Sequence, residues 1–213
     1  MPRAIIFANG TLADPEPVRR FIGPADLLIA ADGGTRHALA LGLTPSVIIG
    51  DLDSLTADDR RWTVEHGARL VEFPRDKNET DLELAINYAV DQGCTEIVIV
   101  AALGGRLDQT LGNLSLLTDS RLAALDIRLD DGMEEVFFVR ERCQVTGKPG
   151  DIVSLLPWGG DVTGVRTEGL RWPLNSETLY PHKTRGISNE MLGEIAQIEI
   201  GSGLLLVVHR RQS

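Results

Sequence analysis

Through residue 132, short apolar runs alternate with segments of helical periodicity. The runs at 4–8, 27–31, 46–50, 69–73, 96–101 and 125–129 are rich in Ala, Val, Ile, Leu and Phe. Nearly continuous runs of this length fit strands covered on both faces, as in a parallel sheet flanked by helices. Between them, Leu82, Ala85, Ile86 and Ala89 recur at helical spacing, Thr80 and Glu83 form a capping box, and Gly93 closes the segment. Leu107, Leu111 and Leu114 predict a second apolar helix stripe. After Asp130-Asp131-Gly132 the helical pattern stops, and runs at 136–139, 152–156, 162–165, 195–200 and 204–208 are parted by glycine turns. The pattern predicts a layered α/β domain with a mostly parallel sheet over 1–132, then a small all-β sandwich over 133–213.

In a parallel sheet the carboxyl ends of the strands reach one edge, so the polar residues that follow them should meet. Those residues are Asn9-Gly10, Asp32-Gly33-Gly34, Gly50-Asp51-Leu52-Asp53-Ser54, the segment 75–81, and Gly104-Gly105-Arg106-Leu107-Asp108. Asp51 and Asp53 are two apart, which lets both point the same way in extended chain, and Asp81 falls in the first turn of the next helix. Each aspartate alone reads equally well as a turn residue or helix cap. Gathered at one edge, they read as oxygen ligands for Mg²⁺ that leave room for waters and substrate phosphates. Gly33, Gly34, Gly104 and Gly105 can bring backbone N–H groups to phosphate oxygens. Arg106 can grip phosphate in a bidentate way or simply pair with Asp108. Neither a P-loop nor a Gly-x-Gly-x-x-Gly fingerprint occurs, which disfavours both of those nucleotide sites.

Composition narrows the classes further. A net charge of −10 over 213 residues argues against a nucleic-acid binder, which needs clustered Lys and Arg. Cys94 and Cys143 lie in no metal or redox spacing and are expected to be reduced thiols. No apolar stretch approaches the ~20 residues that span a bilayer, so the expectation is a cytoplasmic protein without a membrane partner. His37, His66, His182 and His209 are scattered and read as surface or core residues. Trp158 and Trp172 read first as sandwich core, and Gly186-Ile187-Ser188-Asn189-Glu190 as a turn.

Together these motifs resemble the thiamine pyrophosphokinase family. Ala31-Asp32-Gly33-Gly34, Gly50-Asp51-Leu52-Asp53-Ser54, Thr80-Asp81 and Gly104-Gly105-Arg106-Leu107-Asp108 follow that family's order. Gly169-Leu170-Arg171-Trp172-Pro173-Leu174 and Gly186-Ile187-Ser188-Asn189-Glu190 extend the resemblance over essentially the whole chain. It implies transfer of diphosphate from Mg-ATP to the hydroxyethyl oxygen of thiamine, with release of AMP. It also implies nucleotide and Mg²⁺ on the first domain and thiamine on the second, in a homodimer with active sites at the interface. By the same resemblance Asp51, Asp53 and Asp81 hold Mg²⁺ and act with Arg106 in catalysis. Asp32, Gly33, Gly34, Ser54, Thr80, Gly105, Arg106 and Asp108 bind ATP, and Trp172, Ser188 and Asn189 lie at thiamine. Gln109, where many bacterial members carry His, and Asn78, where Asp is common, depart from the pattern and bear on substrate affinity more than on reaction type. The competing readings are a diphosphokinase for another hydroxymethyl heterocycle such as a pterin, and a non-catalytic nucleotide or thiamine sensor. The Trp172 and Ser188-Asn189 segments speak for thiamine. Retention of Asp51, Asp53, Asp81 and Arg106 speaks against a sensor.

Overall fold

Ile5, Ile6 and Phe7 expose no surface, which marks β1 (Arg3–Phe7) as a strand covered on both faces. The computed structural model describes residues 2–212, which form two compact units dividing between Gly132 and Met133. In the first unit β1 pairs in parallel with β2 (Leu27–Ala31) on one side and β5 (Glu96–Val100) on the other. β2 continues to β3 (Val47–Gly50) and β4 (Arg69–Glu72), and β5 to β6 (Asp126–Asp130), all in parallel. The order is therefore β6-β5-β1-β2-β3-β4, with the direction of progression reversing between β1 and β5. A ligand crevice is expected outside the carboxyl ends at such a reversal.

The connecting helices are α1 (Glu16–Arg19), α2 (Thr35–Ala40), α3 (Ala57–Glu65), α4 (Asp81–Asp91) and α5 (Leu107–Leu116). α4 buries Leu82, Ala85, Ile86 and Ala89 and packs across β1, β2 and β3. Thr80 caps it, its hydroxyl accepting from the Glu83 N–H at 3.2 Å. The stripe predicted on α5 is only partly realised. Leu114 is buried, but Leu107 is 73% and Leu111 47% exposed. Periodicity defines a helix face without saying whether another element meets it.

The second unit holds β7 (Glu134–Val139), β8 (Arg142–Thr146), β9 (Ile152–Pro157), β10 (Val162–Glu168), β11 (Asn175–Leu179), β12 (Asn189–Glu190), β13 (Ile195–Glu199) and β14 (Leu205–Arg210). Antiparallel pairing gives β12-β9-β14-β7 and β11-β10-β13-β8. Inward residues such as Val139, Leu155, Val165, Leu179, Ile198 and Val207 make the sandwich core. One polar network is buried here. His209, with no exposed surface, has Nε2 3.1 Å from Asp151 Oδ2 and Nδ1 3.3 Å from Glu135 Oε2. Burial alone would push the Asp151 carboxyl up, but the Gln212 and Lys148 N–H groups and His209 outweigh it and hold the carboxyl below its usual range.

Two predictions follow from this packing. A Cβ on Gly34 would lie 1.9 Å from the Phe7 carbonyl oxygen, whereas one on Gly112, within α5, meets nothing within 4 Å. Gly34→Ala should cost about 3 kcal/mol or more, and Gly112→Ala should gain roughly 0.5–1 kcal/mol, both read by urea unfolding. Equal effects would refute the close approach at Gly34. Asp151, with its folded pKa depressed, contributes stability that is fully present above the unfolded value of about 3.9. That contribution is lost as pH falls through the folded value. Asp151→Asn should therefore be less stable than the wild type at neutral pH, with the gap closing below about pH 4. A gap that stays constant down to pH 2 would exclude the carboxylate as its source.

Candidate active site

A cleft of about 530 Å³ opens at the carboxyl ends of the parallel sheet. Its walls come from Ala8–Thr11 after β1, Ala31 at the end of β2, Arg36 in α2, residues between Arg75 and Leu82 after β4, and residues between Ala102 and Asn113 after β5. The cleft thus lies over the β1–β5 reversal. The backbone here is strained. Asp32 (φ 43°), Leu52 (φ 60°) and Ala101 (φ 57°) sit in the left-handed region within two residues of the ends of β2, β3 and β5. Each such non-glycine residue costs about 1–3 kcal/mol, and such strain concentrates at functional sites.

Asp32, Asp51 and Asp53 each offer a carboxylate oxygen, and these oxygens all lie within 4.8 Å of one another. Asp32 is 4% exposed, and its Oδ1 is buried with no hydrogen-bond partner. The sequence resemblance assigned Asp32 to ATP, whereas the fold sets it inside the carboxylate group. Gly50 explains how Asp32 and Asp81 fit beside each other: a Cβ there would stand 2.8 Å from Asp32 Cβ and 3.0 Å from Asp81 Cγ. Lys77 Nζ lies 2.9 Å from Asp81 Oδ1 as an ion pair. Burial pushes the Asp81 carboxyl above its usual range; Lys77 opposes the shift, and the like charges of Asp32 and Asp51 add to it. Asp53 is exposed, with Arg75 3.7 Å from its Oδ2 and the Ser54 hydroxyl 3.4 Å from its Oδ1. An all-oxygen donor set with an orphaned buried carboxylate oxygen fits a hard divalent cation such as Mg²⁺.

The other predicted residues divide between cleft and scaffold. Gly105 and Arg106 line the cleft, as does Gly104, whereas Gly33 and Gly34 are buried beneath it. An added Cβ on Gly33 would strike the Asn9 side chain at 2.5 Å, so both glycines serve close packing against the end of β1. Arg106 grips Asp108 with two bonds, of 3.1 and 2.5 Å, on the exposed rim, and this pairing holds the Asp108 carboxyl below its usual range. Thr80 lines the cleft while capping α4.

Sequence reasoning set Asn9 and the segment 75–81 with Lys77 at the sheet edge without giving either side chain a role, and missed Thr11, Arg36 and Asn113. Arg36 Nη2 donates to the Asn9 and Gly10 carbonyls at 3.2 and 3.0 Å, and Asn113 Nδ2 donates to the Ala102 carbonyl at 3.0 Å. Arg36 and Asn113 lie within helical pattern and offered no signal.

In the second unit, Trp172, Ile187, Ser188 and Asn189 border a separate cleft of about 490 Å³. Trp172 is not core: its side of the sandwich leaves it 48% exposed, with the Arg171 guanidinium 5.1 Å from the ring centroid. Asn189 is buried and clamps the Trp172 backbone, accepting from its N–H at 3.0 Å and donating to its carbonyl at 2.7 Å. Ser188 is in the left-handed region, φ 59°, and its N–H donates to the Ser154 hydroxyl at 3.0 Å. Trp158 is half-buried and meets Phe138 edge-on.

Known proteins resemble this chain along its length. A family model described as thiamin pyrophosphokinase, catalytic domain, matches residues 18–140, and one described as thiamin pyrophosphokinase, vitamin B1 binding domain, matches 140–205. Thiamine pyrophosphokinase of Bacillus subtilis (strain 168) is 29% identical over 184 residues, 85% of this chain and 86% of its own length. Thiamine pyrophosphokinase 2 of Arabidopsis thaliana is 30% identical over 176 residues, 77% of this chain and 65% of its own. The crystal structure of thiamine pyrophosphokinase from Bacillus subtilis superposes with a TM-score of 0.88 at 25% identity, over 100% of both chains.

The crowding of like charges around Asp32 predicts a trade-off. Asp32→Asn, which removes one charge at a position where Asn tolerates positive φ, should stabilise the ligand-free protein to urea by about 1 kcal/mol. The same change should weaken the response of the protein to Mg²⁺. Destabilisation by Asp32→Asn would show that repulsion does not dominate there.

Proposed function

Because the chain belongs to the thiamin pyrophosphokinase family, we propose that it is a thiamine diphosphokinase, moving the terminal diphosphate of ATP onto the hydroxyethyl oxygen of thiamine and releasing AMP. The observation that carries this reading is the carboxylate group of Asp32, Asp51 and Asp53, with oxygens within 4.8 Å, beside a cleft of nucleotide size at the sheet reversal. The first unit is the nucleotide- and Mg-binding domain, and the second is the thiamine-binding domain. The pterin reading is not favoured, since the family model matching the second unit is described by vitamin B1 binding, and neither is the sensor, since the model matching residues 18–140 is described as a catalytic domain.

Asp51, Asp53 and Asp81, joined by Asp32, would hold Mg²⁺. When bound, the ion supplies neutralisation of charge on the triphosphate as AMP leaves. The hydroxyl oxygen of thiamine attacks the β-phosphorus, the bond from that phosphorus to the oxygen shared with the α-phosphate breaks, and the hydroxyl proton passes to a carboxylate of the cluster. Gly104 and Gly105, with φ of 80° and 85°, leave their backbone N–H groups free of any Cβ screen beside the phosphates. Arg106 exchanges its surface partner Asp108 for a phosphate group, two of whose oxygens accept in the bidentate way the carboxylate does. Positioning of this kind supplies most of what in-line transfer needs. Thiamine is a cation, which suits the exposed face of Trp172 beside Ser188 and Asn189.

The reading includes a homodimer with active sites at its interface, supported by the exposed apolar residues Trp172 and Ile187 around the second cleft. Among the described residues no helix is long and apolar enough to cross a membrane. A cytoplasmic location without membrane or nucleic-acid partners is in keeping with a net charge of −10 and a buried free thiol at Cys94.

Incubation with Mg-ATP and thiamine should yield AMP and thiamine diphosphate in equal amounts, and neither without Mg²⁺. Asp53→Asn should lose about 100-fold or more in turnover. Trp172→Ala should raise KM for thiamine about tenfold with unchanged Tm. ADP with thiamine monophosphate as products, or near-normal turnover in Asp53→Asn, would overturn the mechanism.

A further inference from the structure

Lys77 is an anomaly of composition and of place. It is one of three lysines among the chain's 21 basic residues, and it alone of the three lies in the first unit. Its side chain is only 12% exposed, although the residues around it in the loop after β4 are mostly open to solvent. The ammonium sits 2.9 Å from Asp81 Oδ1, with Asp51 and Asp32 as its further electrostatic partners. Arg75, the other cation of the loop, reaches only the exposed Asp53 and is itself 82% exposed. Lys77 is thus the cation that offsets the buried part of the carboxylate group.

Two physical facts bear on this placement. An ammonium is a compact point charge on a flexible four-carbon stem, whereas a guanidinium is a rigid fork that holds one geometry. A divalent cation among Asp32, Asp51 and Asp81 would face Lys77 across the same oxygens, and like charges at that distance exclude each other. The stem also lines the nucleotide cleft, so phosphate oxygens would enter within its reach.

Resting on the thiamine diphosphokinase reading for the identity of its ligands, we propose that Lys77 is an exchangeable counter-ion: it occupies the carboxylate group in the ligand-free protein and moves to the phosphates when nucleotide enters, freeing Asp81. Metal and nucleotide binding are then coupled through one side chain. Metal alone meets an occupied site, and nucleotide removes the occupant. The coupling is reciprocal, as binding linkage requires.

The test uses Mn²⁺ alone as probe, with bound and free ion separated by electron paramagnetic resonance. Lys77→Met should bind Mn²⁺ at least about tenfold more tightly than the wild type, and Lys77→Arg should not. With EDTA present, Lys77→Met should also bind ATP at least about tenfold more weakly. A second measurement needs no uncharged variant. In the wild type with lysines ¹³C-methylated by reductive alkylation, the Lys77 signal, identified by its absence from Lys77→Arg, should shift on adding ATP without metal. Mn²⁺ affinity unchanged or weakened in Lys77→Met, or a Lys77 signal that ATP leaves in place, overturns the proposal. Asp51→Asn separates the two levels. Loss of Mn²⁺ binding in that variant, with Lys77→Met like the wild type, overturns the role of Lys77 and leaves the metal-site reading intact. No Asp51-dependent Mn²⁺ binding in any protein, even with ATP, overturns both.

Discussion

Because β1 pairs in parallel with β2 over Ala4–Phe7 and with β5 over Arg3–Phe7, the segments leaving all three strands emerge at one level. The pairing continues past the strand ends. The Ala8 N–H donates to the Val100 carbonyl at 2.9 Å and the Gly10 N–H to the Ala101 carbonyl at 2.8 Å. These bonds tie the loop after β1 to the loop after β5 across the reversal. A cleft held open by backbone bonds on both walls needs little reordering when a ligand enters it. The glycines beneath it are part of the same constraint. Gly33 and Gly34 let the turn after β2 rest on Asn9 and Phe7, and a side chain at either position would lift Asp32 away from Asp51 and Asp53.

That geometry carries an electrostatic cost. Like charges a few ångströms apart repel, by about 4 kcal/mol at 4 Å and the effective dielectric of a protein surface, and Asp32, Asp51 and Asp53 bring oxygens to within 4.8 Å of one another with Asp81 beside them. Lys77 offsets part of the repulsion and Arg75 very little, being almost free in solvent. Three left-handed non-glycine residues at the same edge add strain of about 1–3 kcal/mol each. In the first unit both effects fall at the edge facing the cleft, and a bound cation is the partner that would offset the charge repulsion. The counter-ion at Lys77 makes the same point from the other side, since a permanent structural pair would be served as well by arginine.

The sequence made the strands of the first unit legible to within a residue because most of them are buried on both faces and so carry an unbroken apolar signature; β4, at the sheet edge, shows only Leu70 and Val71 between charged ends. The sandwich was less legible. β8 (Arg142–Thr146), β11 (Asn175–Leu179) and the two-residue β12 hold too few apolar residues to register, since half of each strand faces water. Periodicity failed at α5, where Leu107 and Leu111 have the right spacing but stay 73% and 47% exposed. In the site, spacing along the chain found Asp51, Asp53 and Asp81, but the entry of Asp32 depends on a positive φ and on the absence of a side chain at Gly50. Neither has a signature in the local pattern. Lys77 was hidden for a related reason: a lone lysine in a polar loop looks solvated until the fold presses it against Asp81.

The second unit handles its polar groups in two opposite ways, and the contrast bears on where its ligand would sit. In the core, His209 is enclosed by Asp151 and Glu135, and the Asp151 oxygens also take backbone N–H groups from Lys148 and Gln212. A buried network so fully paired fixes the ends of the sheet and leaves nothing to react. At the other cleft the polar investment goes into backbone alone. Asn189 spends its amide on both the N–H and the carbonyl of Trp172, and Ser188 accepts a left-handed backbone beside it. The result is an aromatic ring whose main chain is held by two hydrogen bonds while the residue stays half exposed, with the Arg171 guanidinium 5.1 Å from the ring centroid. A ring needed only for packing would have been drawn inward, as Leu174 is two residues later. Fixing the backbone while exposing the ring lowers the entropy cost of docking a flat cationic ligand, which is the form of preorganisation a weakly hydrated aromatic platform requires.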